Sequence, residues 1–225
     1  RLHQLPPVLQ EPIIELLAQR QVAAALPVIA NVAANSSGSV QITAITALGE
    51  LGQATTVTTL AQLAAEVDGD AKAAVVDALV RLRGADIDRA IVAAAATAPA
   101  AVQCDLIRSL PARNARAAMP DLVALATAED AAVRTEAIKA LGELGDANTC
   151  ALLIPRLAVV DGPERSRIEA ALVAISRREG TLVPILTALA PATGPLQTAL
   201  ISVLGTLGGP DALEALRQAL GSNDI

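Results

Sequence analysis

Few residues of this chain have the type and spacing to do chemistry. His3 is its one histidine, and Cys104 and Cys150 are its two cysteines. A structural zinc ion takes four nitrogen or sulfur ligands. A histidine-based triad needs a nucleophile and an orienting acid beside the imidazole. Neither set can be assembled, so His3 reads as an ordinary surface residue. Cys104 and Cys150 fall on different predicted helices, forming neither a disulfide framework nor a metal motif. Cys104 is expected on the outward side of its helix, open to reaction, and Cys150 on the inward side as a small core residue. The carboxylate pairs Glu129/Asp130 and Asp68/Asp70 could in principle divide acid and base roles. They lie in turn-like segments, where solvated charge and complementarity to helix N-termini account for them. The glycines of the recurring string L-G-x-L-G are expected to end helices, not to cradle phosphates. No catalytic, cofactor-binding or metal-binding residue is assigned.

The remaining concentration of charge is basic. Arg81, Arg83, Arg113, Arg116, Arg177 and Arg178 recur near equivalent turns and are expected to form a mixed-to-basic edge. Glu66, Asp68, Asp70, Glu129, Asp130, Asp161 and Glu164 are expected to make the opposite edge acidic. Cations near helix C-termini are the ordinary reading of such arginines. The net charge of −6 and the absence of Phe, Tyr and Trp argue against nucleic acid, whose bases are usually stacked on aromatic side chains. No apolar run reaches the length of a membrane span, no signal-peptide pattern is present, and a cytoplasmic location is expected.

The elements that position these residues follow from an internal repeat. The string V-R-T-E-A-I-K-A-L-G-E-L-G, Val133 to Gly145, recurs as V-Q-I-T-A-I-T-A-L-G-E-L-G from Val40 to Gly52, and in weaker form from Val102 and toward Gly208. Its leucine recurs at Leu17, Leu48, Leu79, Leu110, Leu141, Leu172 and Leu204, at intervals of 31 residues with a last interval of 32. A constant period in this range marks a solenoid or array. Seven repeats follow, about 1–34, 35–66, 67–97, 98–128, 129–159, 160–190 and 191–225. Apolar residues eight and four before each anchor leucine share its helical face. A second stripe, twelve and sixteen residues after it, marks a second helix. Gly52, Gly84, Asn114, Gly145, Gly180 and Gly208 separate the two as breakers that tolerate left-handed backbone. The spacing predicts first helices over 39–51, 71–83, 102–113, 131–144, 164–178 and 196–207, in one domain spanning 1–225.

The pattern V-R-x-x-A-x-x-A-L-G-x-L-G resembles the HEAT repeat, and most closely the short bacterial HEAT-like repeats of the phycobilisome-lyase type. Asp146 stands where that family has its turn aspartate. Arg134 and Arg165, with Lys72 similar, stand where it has an arginine; Gln41, Gln103 and Gln197 replace it elsewhere, so an Asp–Arg ladder would be patchy. Glu164 and Glu169 occupy positions that are normally apolar. The resemblance implies an all-α, right-handed α-α superhelix of about seven helix pairs, with second helices lining a concave, partner-binding face.

The function expected is a non-catalytic protein-interaction scaffold or binding module, part of a larger protein, because Leu213, Leu216 and Leu220 point where an eighth repeat would stack. The alternative implied by the resemblance is a subunit that attaches or removes bilin chromophores. On second helices, positions 7, 10, 11 and 14 after the anchor point outward. They are polar in the second repeat (Thr55, Thr58, Thr59, Gln62). They turn apolar in the fifth and sixth, at Ala151, Leu152, Pro155, Leu182, Val183 and Leu186, which are the expected partner-binding residues. If Pro184 aligns with Pro27, the outward set of the sixth repeat becomes Pro184, Ile185 and Ala188. The basic-edge candidates are Arg83, Arg113, Arg116, Arg177 and Arg178.

Overall fold

The computed structural model describes residues 2–221. The expectations for the side chains of His3 and Leu220 fall outside the described residues. Among the described residues there is no strand, and fourteen α-helices alternate as first and second members of seven pairs. The pairs are α1 (Pro7–Gln19) with α2 (Leu26–Asn35), α3 (Gly38–Leu51) with α4 (Thr56–Glu66), α5 (Gly69–Arg81) with α6 (Ile87–Ala95), and α7 (Ala100–Ala112) with α8 (Met119–Leu125). They continue as α9 (Ala131–Leu144) with α10 (Ala147–Leu153), α11 (Gly162–Glu179) with α12 (Val183–Leu189), and α13 (Gly194–Leu207) with α14 (Pro210–Gly221). The first helices lie within two residues of their predicted limits, and α9 matches them at both ends. None of the described helices is long and apolar enough to cross a membrane.

The chain forms two compact units, Arg1–Ala118 and Met119–Ile225. The boundary falls inside the fourth repeat. In the first unit, α1, α3, α5 and α7 pack in series, while α2, α4 and α6 pack against the first helix of the following repeat. In the second, α9, α11 and α13 pack in series, with α10 against α11 and α12 against α13. Anchor leucines Leu48, Leu79, Leu110, Leu141, Leu172 and Leu204 are buried, as are Ile29, Leu60, Ile91, Leu122 and Leu153 on the second helices. Apolar burial on both stripes is what holds a pair to its neighbours.

Three expectations are corrected. In the first repeat, Ile14 and Ala18 are buried, whereas Leu17 is half-buried and Leu9 exposed; α1 packs against α3, and its buried stripe is displaced by one residue from the anchor register. In the sixth, the buried pair is Ile185 and Leu189, not Pro184 and Ala188. That one-residue slip is the extra residue of the 32-residue interval, and it removes Ile185 from the alternative outward set. Third, not every glycine of the recurring string ends a helix, and not every glycine that does is left-handed. Gly49 and Gly142 lie inside α3 and α9. A Cβ on Gly49 would come within 2.6 Å of Ala78 Cα, and one on Gly142 within 3.1 Å of Ala171 Cα. These residues let successive first helices approach backbone to backbone. Gly52 and Gly145 do end helices, but with extended backbone (φ −71° and −66°). A Cβ there would strike the carbonyl oxygen of Leu48 or Leu141 at 2.4 and 2.5 Å, so space, not handedness, selects glycine. Left-handed ends occur at Gly180, Asn114 and Gln21.

Candidate functional site

The apolar outward face of the second unit is built by α10 and α12, which pack on each other. Pro155 has no N–H to continue the α-helical ladder, and the chain passes into a 3-10 segment over Ile154–Ala158. The pitch change leaves Ala151, Leu152 and Pro155 exposed while Leu153, Ile154 and Leu157 stay buried. On α12, Val183 is exposed and Leu186 is half-buried, as is Leu182 just before it. Leu152 and Val183, on two helices that pack on each other, expose 56% and 66% of their surface. Next to this face, α12, α13 and α14 enclose a cleft of about 530 Å³ lined by Leu186, Leu189, Ala190, Gln197, Asp211, Glu214, Ala215 and Gln218. Its floor is aliphatic and its wall acidic. In the first unit, a groove of about 510 Å³ between α4 and α6 is walled mainly by Ala and Thr, including Thr58, Ala61, Ala90 and Ala94. It presents no large anchor side chain.

The arginines expected to form a basic edge are largely engaged with helix ends. The Arg113 guanidinium is nearly buried and pairs with Asp88 at 2.6 Å. It also donates to the carbonyl oxygens of Leu79, Val80 and Leu82, which end α5. Arg178 does the same one unit along, donating to Gly142, Glu143 and Gly145 at the end of α9. Arg177 donates to Thr206 O at 2.8 Å, and Arg81 pairs with Glu50 at 3.6 Å. Arg83 and Arg116 are exposed. Unpaired carbonyls and a negative dipole end meet a fixed cation here.

A second capping system lies at the other end of the pairs. Seven residues before the anchor, Gln41 and Gln103 donate to Ala33 O and Ala95 O, both at 2.9 Å. At the same position Arg134 donates to Ala128 O and Glu129 O, and Arg165 to Val160 O. Gln41 and Gln103 thus close the end of the preceding second helix, and Arg134 and Arg165 close carbonyls of the loop beyond it. Glu164, at a normally apolar position, accepts from Arg134 at 3.0 Å and from Arg156 at 2.6 Å. Burial pushes its carboxyl up, but hydrogen bonds from Arg156 and Arg134 outweigh this and hold it below the usual glutamate range. Lys72 and Arg108 similarly pair with Asp105, which is 1% exposed. Asp146 caps α10 in a reciprocal box with Thr149, whose backbone N–H lowers the Asp146 pKa. Sequence reasoning noted Glu164 as a departure but not its two partners.

Cys104 is buried, contrary to the outward placement expected. The first helices are covered on more than one side, so a larger arc of each is core. Cys150 is buried as expected, and burial pushes its thiol up to about 11, leaving it protonated and a poor nucleophile at neutral pH. Among the described residues no group of three or more His, Cys, Asp or Glu could hold a metal ion.

The HEAT repeats profile matches residues 1–80 and 87–176. The chain belongs to the HEAT-repeat family. A PBS lyase HEAT-like repeat matches residues 196–222. Among curated proteins, none matches the sequence. An engineered protein of known crystal structure is 19% identical over 96% of this chain and 69% of its own, with a TM-score of 0.42. The complex of CpcE and CpcF of phycocyanin lyase from Nostoc sp. PCC7120 is 19% identical over 97% of this chain and 95% of that chain, with a TM-score of 0.39. HEAT repeats generally mediate protein interactions.

Proposed function

We propose that this HEAT-repeat chain is a non-catalytic protein-binding module whose partner docks on the second-helix face of its second unit, over Ala151, Leu152, Pro155, Leu182, Val183 and Leu186. The observation that carries the reading is the adjacent exposure of Leu152 and Val183 beside a cleft. Clustered exposed apolar surface marks interaction sites. The partner is placed here and not on the arginine edge because Arg113, Arg177 and Arg178 already donate to helix-end carbonyls. Leu and Val are modest hot-spot residues beside Trp, Tyr or Arg, so the contact is of low affinity or assisted by avidity.

A photo-crosslinking amino acid at position 183, compared with one at Thr58 on the polar face of the first unit, tests this. The expected result is one dominant adduct from position 183, competed by excess unlabelled chain, and none from position 58. Equal labelling from both positions, or none from 183, overturns it. The match of residues 196–222 to a PBS lyase HEAT-like repeat favours a second reading, a bilin-lyase-like subunit. Mixing the chain with a free bilin and recording a shifted visible absorption band would support it.

A further inference from the structure

The cleft beside α12 differs from the same place in other repeats. Seven residues before the anchor, Gln41 and Gln103 reach back to the end of the preceding second helix, Arg134 and Arg165 to carbonyls of the loop beyond it, and Lys72 pairs with Asp105. Gln197 occupies that position in the seventh repeat and makes no hydrogen bond among the described residues; it lines the cleft instead. The carbonyl equivalent to Ala33 O and Ala95 O is Leu189 O, which accepts from Ala192 N at 3.0 Å. The C-terminal end of α12 faces an open cleft.

The other groups there are acceptors. Asp211 and Glu214 are exposed on the wall and make no salt bridge among the described residues. Glu214 Oε1 accepts from Gln218 at 3.1 Å, leaving its second oxygen available. Among the described residues no Lys or Arg lines the cleft; Leu186, Leu189 and Ala215 supply its aliphatic floor. A helix C-terminus, two carboxylates and a free amide together favour a cation. An aliphatic floor suits the stem of a long basic side chain, whose methylenes pack while the head meets the carboxylates.

We infer that the docked partner is a peptide segment that inserts an arginine or lysine into this cleft, between the carboxylates of Asp211 and Glu214, and lays a neighbouring apolar side chain across Val183 and Leu152. This rests on the docking reading above and adds the chemistry of the occupant.

The test uses the whole chain and a phage-displayed library of randomised 15-residue peptides. Enriched peptides are remeasured by fluorescence polarisation against wild type, Asp211→Asn/Glu214→Gln, and Leu152→Glu, with circular dichroism on each variant. Enriched peptides are expected to carry Arg or Lys near an apolar residue. Their affinity should fall about fivefold on the double variant, the scale of two exposed ion pairs, and should weaken with salt. Neutral peptides indifferent to the double variant but lost on Leu152→Glu would overturn the cation and leave the docking face standing. Peptides indifferent to both variants, or no enrichment at all, would overturn both.

Discussion

Arg113 donates to the carbonyl oxygen of Leu82 at 2.7 Å across 31 residues of sequence, one full repeat. The same guanidinium closes two further carbonyls of α5 and the carboxylate of Asp88 in the first turn of α6. One side chain thus ties a helix end, the next helix start and the following repeat. Replacing it with methionine keeps the apolar stem but strands these acceptors. Arg113→Met is expected to destabilise the first unit by about 2–4 kcal/mol, read by denaturant unfolding. Arg113→Lys should recover only part, because an ammonium cannot match the planar fork.

Three glycines occupy the position after the anchor leucine and meet different surroundings. Gly49→Ala forces a Cβ into the Ala78 backbone at 2.6 Å, Gly142→Ala meets Ala171 at 3.1 Å, and Gly205→Ala meets nothing within 4 Å. The expected order of stability follows. Gly49→Ala should cost about 1–3 kcal/mol and Gly142→Ala less. Gly205→Ala should be neutral or stabilising by up to about 1 kcal/mol, since alanine is the better helix former. Thermal melts of the three variants check the order.

The ion triad of Glu164 with Arg134 and Arg156 gives a pH-dependent contribution. Its carboxyl pKa is lowered in the folded chain, so the stabilisation is present above the ordinary glutamate pKa and is lost as pH falls through the lower folded value. The melting difference between wild type and Glu164→Gln should be full at pH 7 and should shrink steadily below the ordinary carboxylate range. A difference independent of pH would show that the triad contributes by shape and not by charge.

The sequence made the helix pairs readable because a 31-residue apolar period survives nearly unbroken from Leu48 to Leu172. The period also placed Leu152 and Val183 outward. It misplaced Ile185, because one added residue rotates a short helix by about 100°. It misplaced Cys104 because a single-helix stripe underestimates the arc that stacked neighbours cover. The capping roles of Arg113 and Arg178 were hidden, since each joins groups one repeat apart and both look locally like cations at their own helix ends. The polar series seven before the anchor was visible as Gln or Arg. Its acceptors are backbone carbonyls at or beyond the end of the preceding second helix, which the local pattern does not show.

The claim that the second-helix face of the second unit is the docking surface is tested most directly by one comparison. The partner trapped through position 183 is titrated against wild type and Leu152→Glu, with the fold of each followed by circular dichroism. The change adds a charge to a side chain that is already 56% exposed, so the melting curve should be unchanged while partner affinity falls about tenfold or more. Unchanged affinity with an intact fold would contradict the assignment of this face.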